Sequence, residues 1–345
     1  MTRSLLKMAL ILSLALGLVS CGGGAPAERP AKAARPPALK VGLLLDDVHE
    51  RWERDRQLIQ EVVTDMGADL LVEVADGDQA RQLEQAQQML DAGAKALLVV
   101  AHDTEQAAPL VERAAAMKVP VVSYDRLIKN ADVALYIGFD TLKVGELQAR
   151  HLLALAPTGN YLLIGGAPTD GNAKTLREGQ MRVLEAPVKS RAVRIVGDGW
   201  ALNWSAAAAT KLTEQALDQT RNNLAAIVAS NDVLAGAAIG VLRARGLAGK
   251  VPVSGQDAEL DAARRILEGT QTMTVYKSLR TLTRLAARAV VLLAKGEKVD
   301  TSATVNNGLK DVPAMIFDPI AVDKDNLDGV LIGDGFLKRE EVYRK

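Results

Sequence analysis

Short apolar runs recur along the chain, and between them lie stretches whose apolar positions repeat at helical spacing. KVGLLLD (40–46), DLLVEVA (69–75), ALLVVA (96–101), PVVSYD (120–125) and LYIGFD (135–140) read as strands. Residues 51–66, 78–92 and 105–117 read as helices, with Leu83, Ala86, Met89 and Leu90 sharing one face and Gly67 stopping the first. The rhythm then resumes. Helices at 141–155, 174–184, 205–217, 232–245 and 258–267 alternate with NYLLIGG (160–166), VRIVGD (193–198), LAAIVAS (224–230), VPVSG (251–255) and TMTVY (272–276). A strongly amphipathic helix follows at 278–293, its arginines spaced as a solvated face. Alternation of this kind predicts an α/β chain with doubly wound parallel sheets, and 345 residues leave room for two of them.

Composition agrees with that picture. The chain is 48% hydrophobic and 3% aromatic, so its cores are built from Ala, Val, Leu and Ile, as parallel sheets require. Lys plus Arg and Asp plus Glu are 42 each, which excludes a whole-protein basic field for nucleic acid. The N-terminus does not share the pattern. Arg3 and Lys7 precede an apolar run from Met8 to Val19, too short to span a bilayer and suited to a secretory signal. Its ending, L-V-S-C, resembles a bacterial lipobox, which makes Cys21 the expected lipidation site and residues 1–21 the signal. Cys21 is the only cysteine, so no intramolecular disulfide forms. GGGAPAERPAKAARPPA (22–38) reads as a flexible tether.

Ligands of open parallel sheets sit beyond the carboxyl ends of the strands. The residues there are Asp46-Asp47, His102-Asp103, Asp125-Arg126, Asp140, Gly166 to Asn172, Asp198 to Trp204, Asn231-Asp232, Gln256-Asp257 and Lys277. No G-x-G-x-x-G follows the first strand and no G-x-x-x-x-G-K-[ST] occurs, so neither a dinucleotide nor an NTP phosphate is indicated, and no cofactor is expected. Asp125 and Asp257 only accept hydrogen bonds; Arg126 and Lys277 only donate; Asn172 and Asn231 do both. A ring of adjacent sugar hydroxyls needs that mixture. Trp52 and Trp204 suit the C–H-rich faces of a pyranose, while Trp200 reads as packing.

These segments carry a family resemblance. ERWERDR (50–56), SYDRLIKNADV (123–133), FDTLKVGELQA (139–149), GGAPTDGNAK (165–174), ASNDVLAG (229–236), SGQDAEL (254–260), GTQTMTVYK (269–277) and NNGLKDVP (306–313) resemble the D-xylose-binding proteins of bacterial ABC transporters. Those belong to the periplasmic sugar-binding proteins with the ribose-binding type of fold, and the likeness runs from Lys40 to Lys338. The resemblance implies two α/β lobes joined by a three-segment hinge and closing on one monosaccharide. The lobes would be 39–142 plus 279–311 and 143–278 plus 312–345. It implies ligand contacts from Arg51, Asp125, Arg126, Asn172, Asn231, Asp257 and Lys277, with Trp52 and Trp204 stacking on the sugar. It also implies an exported, monomeric receptor that delivers D-xylose to permease subunits and catalyses nothing. The chain departs from the pattern at Gly171, where a second amide is expected, at Ser278, where proline is expected, and in its lipobox.

Other features point elsewhere less well. DKDNLDG (323–329) lacks the spacing of a calcium loop, since Leu327 takes the fifth place and glycine the seventh. His49, His102 and His151 have no metal-ligand spacing, and His49 reads as a loop cap. Two rival functions stand beside the receptor. One is a sensor subunit feeding a chemoreceptor or histidine kinase. The other is a sugar-modifying enzyme using Asp125 and Asp257 as an acid–base pair.

Overall fold

The computed structural model describes residues 39–344; the signal, Cys21 and the tether 22–38 lie outside the described residues. The first apolar runs form β1 (Leu39–Leu45), β2 (Ala68–Val74), β3 (Leu97–Val99), β4 (Val121–Tyr124) and β5 (Leu135–Phe139). Helices α1 (Glu50–Asp65), α2 (Gln79–Asp91) and α3 (Ala108–Ala116) connect them. The strands are parallel, and β1 lies between β2 and β3. Alternation along β1 feeds two cores. Val41, Leu43 and Leu45 pack on the side of α1 and Leu44 on the side of α2 and α3, so the strand is buried on both faces.

The second sheet repeats the winding. After α4 (Thr141–Leu155), strand β6 (Gly159–Gly165) lies between β7 (Val193–Trp200) and β8 (Ala226–Ala229), all parallel. Helices α5 (Gly171–Lys189), α6 (Ala206–Thr220) and α7 (Asp232–Ala244) make the connections. The expected strand 251–255 is reduced to a single parallel bridge between Ile227 and Val253. Pro252 has no N–H to donate, and the backbone turns left-handed at Asp257 and Ala258, so no regular ladder forms. This segment still joins the sheet edge: Val275 N–H donates to Gly255 O at 3.1 Å and Asp257 N–H to Val275 O at 2.9 Å. Those bonds attach β9 (Thr274–Tyr276), which follows α8 (Leu260–Glu268).

The chain then returns to the first sheet. Helix α9 (Leu279–Ala294) packs Leu282, Ala286 and Val290 into the same core as α1, and Arg280, Arg284 and Arg288 stay exposed. Strands β10 (Ala303–Asn306) and β11 (Asp311–Phe317), absent from the sequence reading, extend that sheet beyond β5. The expected last crossing at 311–312 is displaced. β11 runs parallel to β5 as far as Phe317, opposite Phe139, because Val312 and Ala314 are buried in the large sheet's core. Beyond it, β12 (Ile320–Val322) pairs antiparallel with β9, and α10 (Arg339–Val342) packs Val342 against the second lobe.

One helix contact fixes the second lobe. α4 and α5 cross so closely that a Cβ on Gly145 would collide with the carbonyl of Leu176, and one on Gly179 with the carbonyl of Leu142. Helix α5 runs to Lys189, past the expected end at Leu184 and through Pro187. Proline forgoes the one bond its N–H would donate to Val183 O, and Val183 and Val188, packed on the lobe's core, hold the last turn.

Candidate functional site

The carboxyl ends of both sheets open onto one shared cavity. Arg51, Trp52, Asp125, Arg126, Asn172, Trp204, Asn231, Asp257 and Lys277 all line it. They arrive from separate elements. Arg51 and Trp52 stand in the first turn of α1, Asp125 and Arg126 at the end of β4, and Asn172 in the first turn of α5. Asn231 caps α7, its Oδ1 accepting from Leu234 N–H at 2.9 Å. Lys277 follows β9.

Asp125 and Asp257 occupy left-handed backbone positions, φ 62° and 95°, that side chains other than glycine rarely adopt. Each is held there by bonds. Asp125 N–H donates to Ile137 O at 2.7 Å, and its carbonyl accepts from Tyr136 OH at 3.0 Å. The sharp turn lifts each carboxylate off its strand and into the cavity.

The cavity's charges form two chains across the cleft. In one, Arg51 donates to Asp125 and stands 3.6 Å from Asp257, and Lys277 Nζ lies 2.9 Å from the same Asp257 oxygen. Asn172 Nδ2 adds a bond to Asp125 Oδ1 at 3.0 Å. Burial pushes the Asp125 carboxyl up, but Arg51 and Lys277 outweigh it and hold it at about 2. The Asp257 carboxyl is likewise held below its ordinary value, burial being overcome by Lys277 and Arg51. In the second chain, Arg126 donates to Asp46 Oδ2 at 2.6 Å and to Ala101 O at 3.0 Å, and its Nε meets Asp170 Oδ2 at 2.8 Å. His102 Nδ1 lies 2.6 Å from the other Asp46 oxygen, and that bond raises the imidazole's pKa. Fixed charges of this kind bond neutral hydroxyls strongly.

The aromatic walls differ from each other. Trp52 is 4% exposed, with Tyr124 at 6.4 Å and the Arg51 guanidinium 4.3 Å from its ring centre. Trp204 lies against Gly166, where a Cβ would collide with the indole. Buried Trp204 Nε1 and Arg51 Nε lack hydrogen-bond partners and are donors in reserve at the cavity wall. Trp200 packs over Gly165 but keeps 37% of its surface exposed.

A family model for the periplasmic binding protein domain matches residues 41–298. The chain belongs to the periplasmic binding protein family. This periplasmic binding protein is similar to the D-xylose-binding periplasmic protein of Haemophilus influenzae, at 46% identity over 312 residues, 90% of this chain and 94% of the relative. Its similarity to the D-xylose-binding periplasmic protein of Escherichia coli is 43% over 311 residues, again 90% and 94%. Among solved structures it is similar to a carbohydrate transporter solute binding protein from Chloroflexus aurantiacus in complex with D-glucose. That match has a TM-score of 0.82 and 31% identity, and covers 88% of this chain and 98% of the other.

Some cavity residues of this binding protein stand at the marked strand ends without having been assigned a ligand contact. Asp170, within the strand-end stretch Gly166 to Asn172, caps α5 by accepting from Asn172 N–H at 2.8 Å, and its other oxygen pairs with Arg126. Asp46-Asp47 read either as placing one carboxylate near the cleft or as a turn or helix cap, and Asp46 anchors the same arginine. Gln256, already marked by its strand end, also lines the cavity, as do Phe139 and Thr141 on either side of the marked Asp140. His49 occupies the N-cap position of α1 without a side-chain cap bond; its Nε2 lies 3.3 Å from Asp47.

Proposed function

We propose that this protein is the extracytoplasmic receptor of an ABC importer, and that it binds D-xylose between its lobes without altering it. One observation carries the reading. Two acceptor-only carboxylates, Asp125 and Asp257, are held ionised by donor-only Arg51 and Lys277 around a single cavity at the ends of both sheets. Hydroxyls are served there by Asn172, Asn231 and Arg126 as well, while Trp52 and Trp204 form the walls for the ring. Similarity to two D-xylose-binding relatives supports xylose among the monosaccharides. A sugar-modifying enzyme is the weaker reading, because Asp125 and Asp257 are both held below the usual carboxylate range and neither has a proton to donate near neutrality.

Residues 39–142 with 279–317, and 143–278 with 318–344, are the two bodies that close on the sugar, and the closed form is what the permease recognises. Cys21 carries the lipid, and the tether 22–38 gives the folded part its reach from the membrane. Among the described residues no helix is long and apolar enough to cross a membrane. Thermal-shift screening against pentoses and hexoses, followed by calorimetry, tests the sugar assignment. D-xylose is expected to give the largest rise in Tm, by mass action on the folded state. No shift with any monosaccharide refutes it. Cys21→Ala is expected to abolish fatty-acid labelling, and persistent labelling would refute the anchor.

A further inference from the structure

Asp232, the residue after Asn231, is 1% exposed and does not line the sugar cavity. Its surroundings are unusual for a buried carboxylate, because neutral donors meet both carboxylate oxygens. Gln271 Nε2 donates to Oδ1 at 2.7 Å. Glu259 N–H donates to Oδ2 at 3.0 Å, and the Thr274 hydroxyl to the same oxygen at 2.9 Å. These donors lie on different segments. Glu259 closes the turn that carries Asp257, and Thr274 opens β9, which ends next to Lys277. Gln271 is itself braced by Arg265, whose Nε donates to its Oε1 at 2.9 Å and whose Nη2 reaches Asp232 O at 3.0 Å.

The turn needs such a brace. Asp257 and Ala258 are consecutive left-handed residues, φ 95° and 53°, and neither is glycine. A conformation of that cost persists only where surrounding bonds over-determine it. Asp232 supplies them on both sides: its carboxylate takes the N–H just after the turn, and its own N–H donates to Gln256 O at 3.0 Å just before it. Thr274 Oγ1 also accepts from Ala258 N–H at 3.2 Å, so one hydroxyl links the carboxylate to the strained backbone. Gly255 is required for this approach, since a Cβ there would overlap Asp232 Oδ1.

We infer that Asp232 is a positioning residue of the sugar site, holding Asp257 and Lys277 at the spacing a sugar hydroxyl requires. The inference rests on the D-xylose reading of the cavity and adds a residue that touches no sugar. Calorimetry with D-xylose and its monodeoxy analogues tests it on the whole mature chain. Asp232→Asn is expected to weaken D-xylose binding by about tenfold. It should also erase the penalty that the wild type shows against one particular deoxy analogue, the one lacking the hydroxyl held by Asp257. Thr274→Val is expected to erase the same penalty with a smaller loss, and the double variant to resemble Asp232→Asn alone, since both act in one network. Unchanged affinity, or equal weakening towards every analogue, overturns the inference. Thr274→Val alone decides the matter if Asp232→Asn does not fold. A wild-type protein that ignores D-xylose overturns the reading of the cavity instead, and the first titration shows it.

Discussion

Single carboxylates behave differently here according to what faces them. Asp125 is held at about 2, burial being outweighed by Arg51 and Lys277. Its folded pKa lies below the unfolded value, so it stabilises the fold above pH 4, and that contribution is lost as pH falls towards 2. Asp55 is the opposite case. It is fully buried behind Arg51, accepts from Tyr124 OH at 2.7 Å, and lies 3.4 Å from the Thr283 hydroxyl. Burial pushes it up to about 6, more than Arg51 pulls it down. Its folded pKa lies above the unfolded one, so stability falls as pH rises from about 4 to 6, at roughly 1 kcal/mol per pH unit for one proton. Asp55→Asn is expected to make that fall shallower, as read from urea midpoints across the range; an unchanged slope would contradict the assignment. Asp125 was visible in the sequence because it ends an apolar run. Asp55 was not, since a charged residue within a helix reads as solvated until a facing tyrosine and a second helix bury it.

At the level of elements, the α4–α5 crossing decides how the second lobe holds together. Alanine favours a helix over glycine by about 1 kcal/mol. At Gly179, however, its methyl would strike the backbone of Leu142, which cannot rotate away. Gly179→Ala is therefore expected to lower stability by about 1–3 kcal/mol, the usual range for overpacking, and a raised unfolding midpoint would show that the helices part freely. Most helices and strands of the two sheets were legible because their periods differ and their ends carry caps, such as Asp78 before α2 and Asp140 before α4. β10, β11 and β12 were not. Pro313 sits within β11 and reads as a breaker, and its tolerance there depends on β10 and β5, which are far away in sequence. The strand-end rule marked seven of the nine candidate side chains around the cavity, while Arg51 and Trp52, in the first turn of α1, were marked by the family resemblance and by the fit of tryptophan to a sugar ring. It gave no sign of Asp170's second partner, because a capping aspartate looks the same whether or not an arginine lies across the cleft.

For the molecule as a whole, the contacts that span the cleft set how tightly the lobes meet. Asp170 with Arg126 and Asn172 with Asp125 are joined by Thr104 N–H donating to Thr169 O at 3.3 Å. Gly171 belongs to this seam: a Cβ there would stand 3.0 Å from Thr104 Oγ1. That closeness accounts for a glycine where an amide was expected. Gly171→Leu is expected to weaken D-xylose binding about tenfold or more while leaving the unliganded protein's stability nearly unchanged, because the added bulk opposes closure rather than folding. Calorimetry paired with small-angle scattering checks this. A variant that contracts on adding sugar as fully as the wild type, with equal affinity, would remove Gly171 from the seam.

The return of α9, β10 and β11 to the first sheet has a consequence for biogenesis. The first five strands leave the ribosome with one flank of their core bare, and that flank is covered only by segments that begin at Leu279, long after β5 ends at Phe139. No fragment that ends before the second sheet is made contains a finished first lobe. Its maturation waits on the segments from Leu279 onward, so a nascent polypeptide halted before Leu279 would be a substrate for chaperones and proteases rather than a half-built receptor.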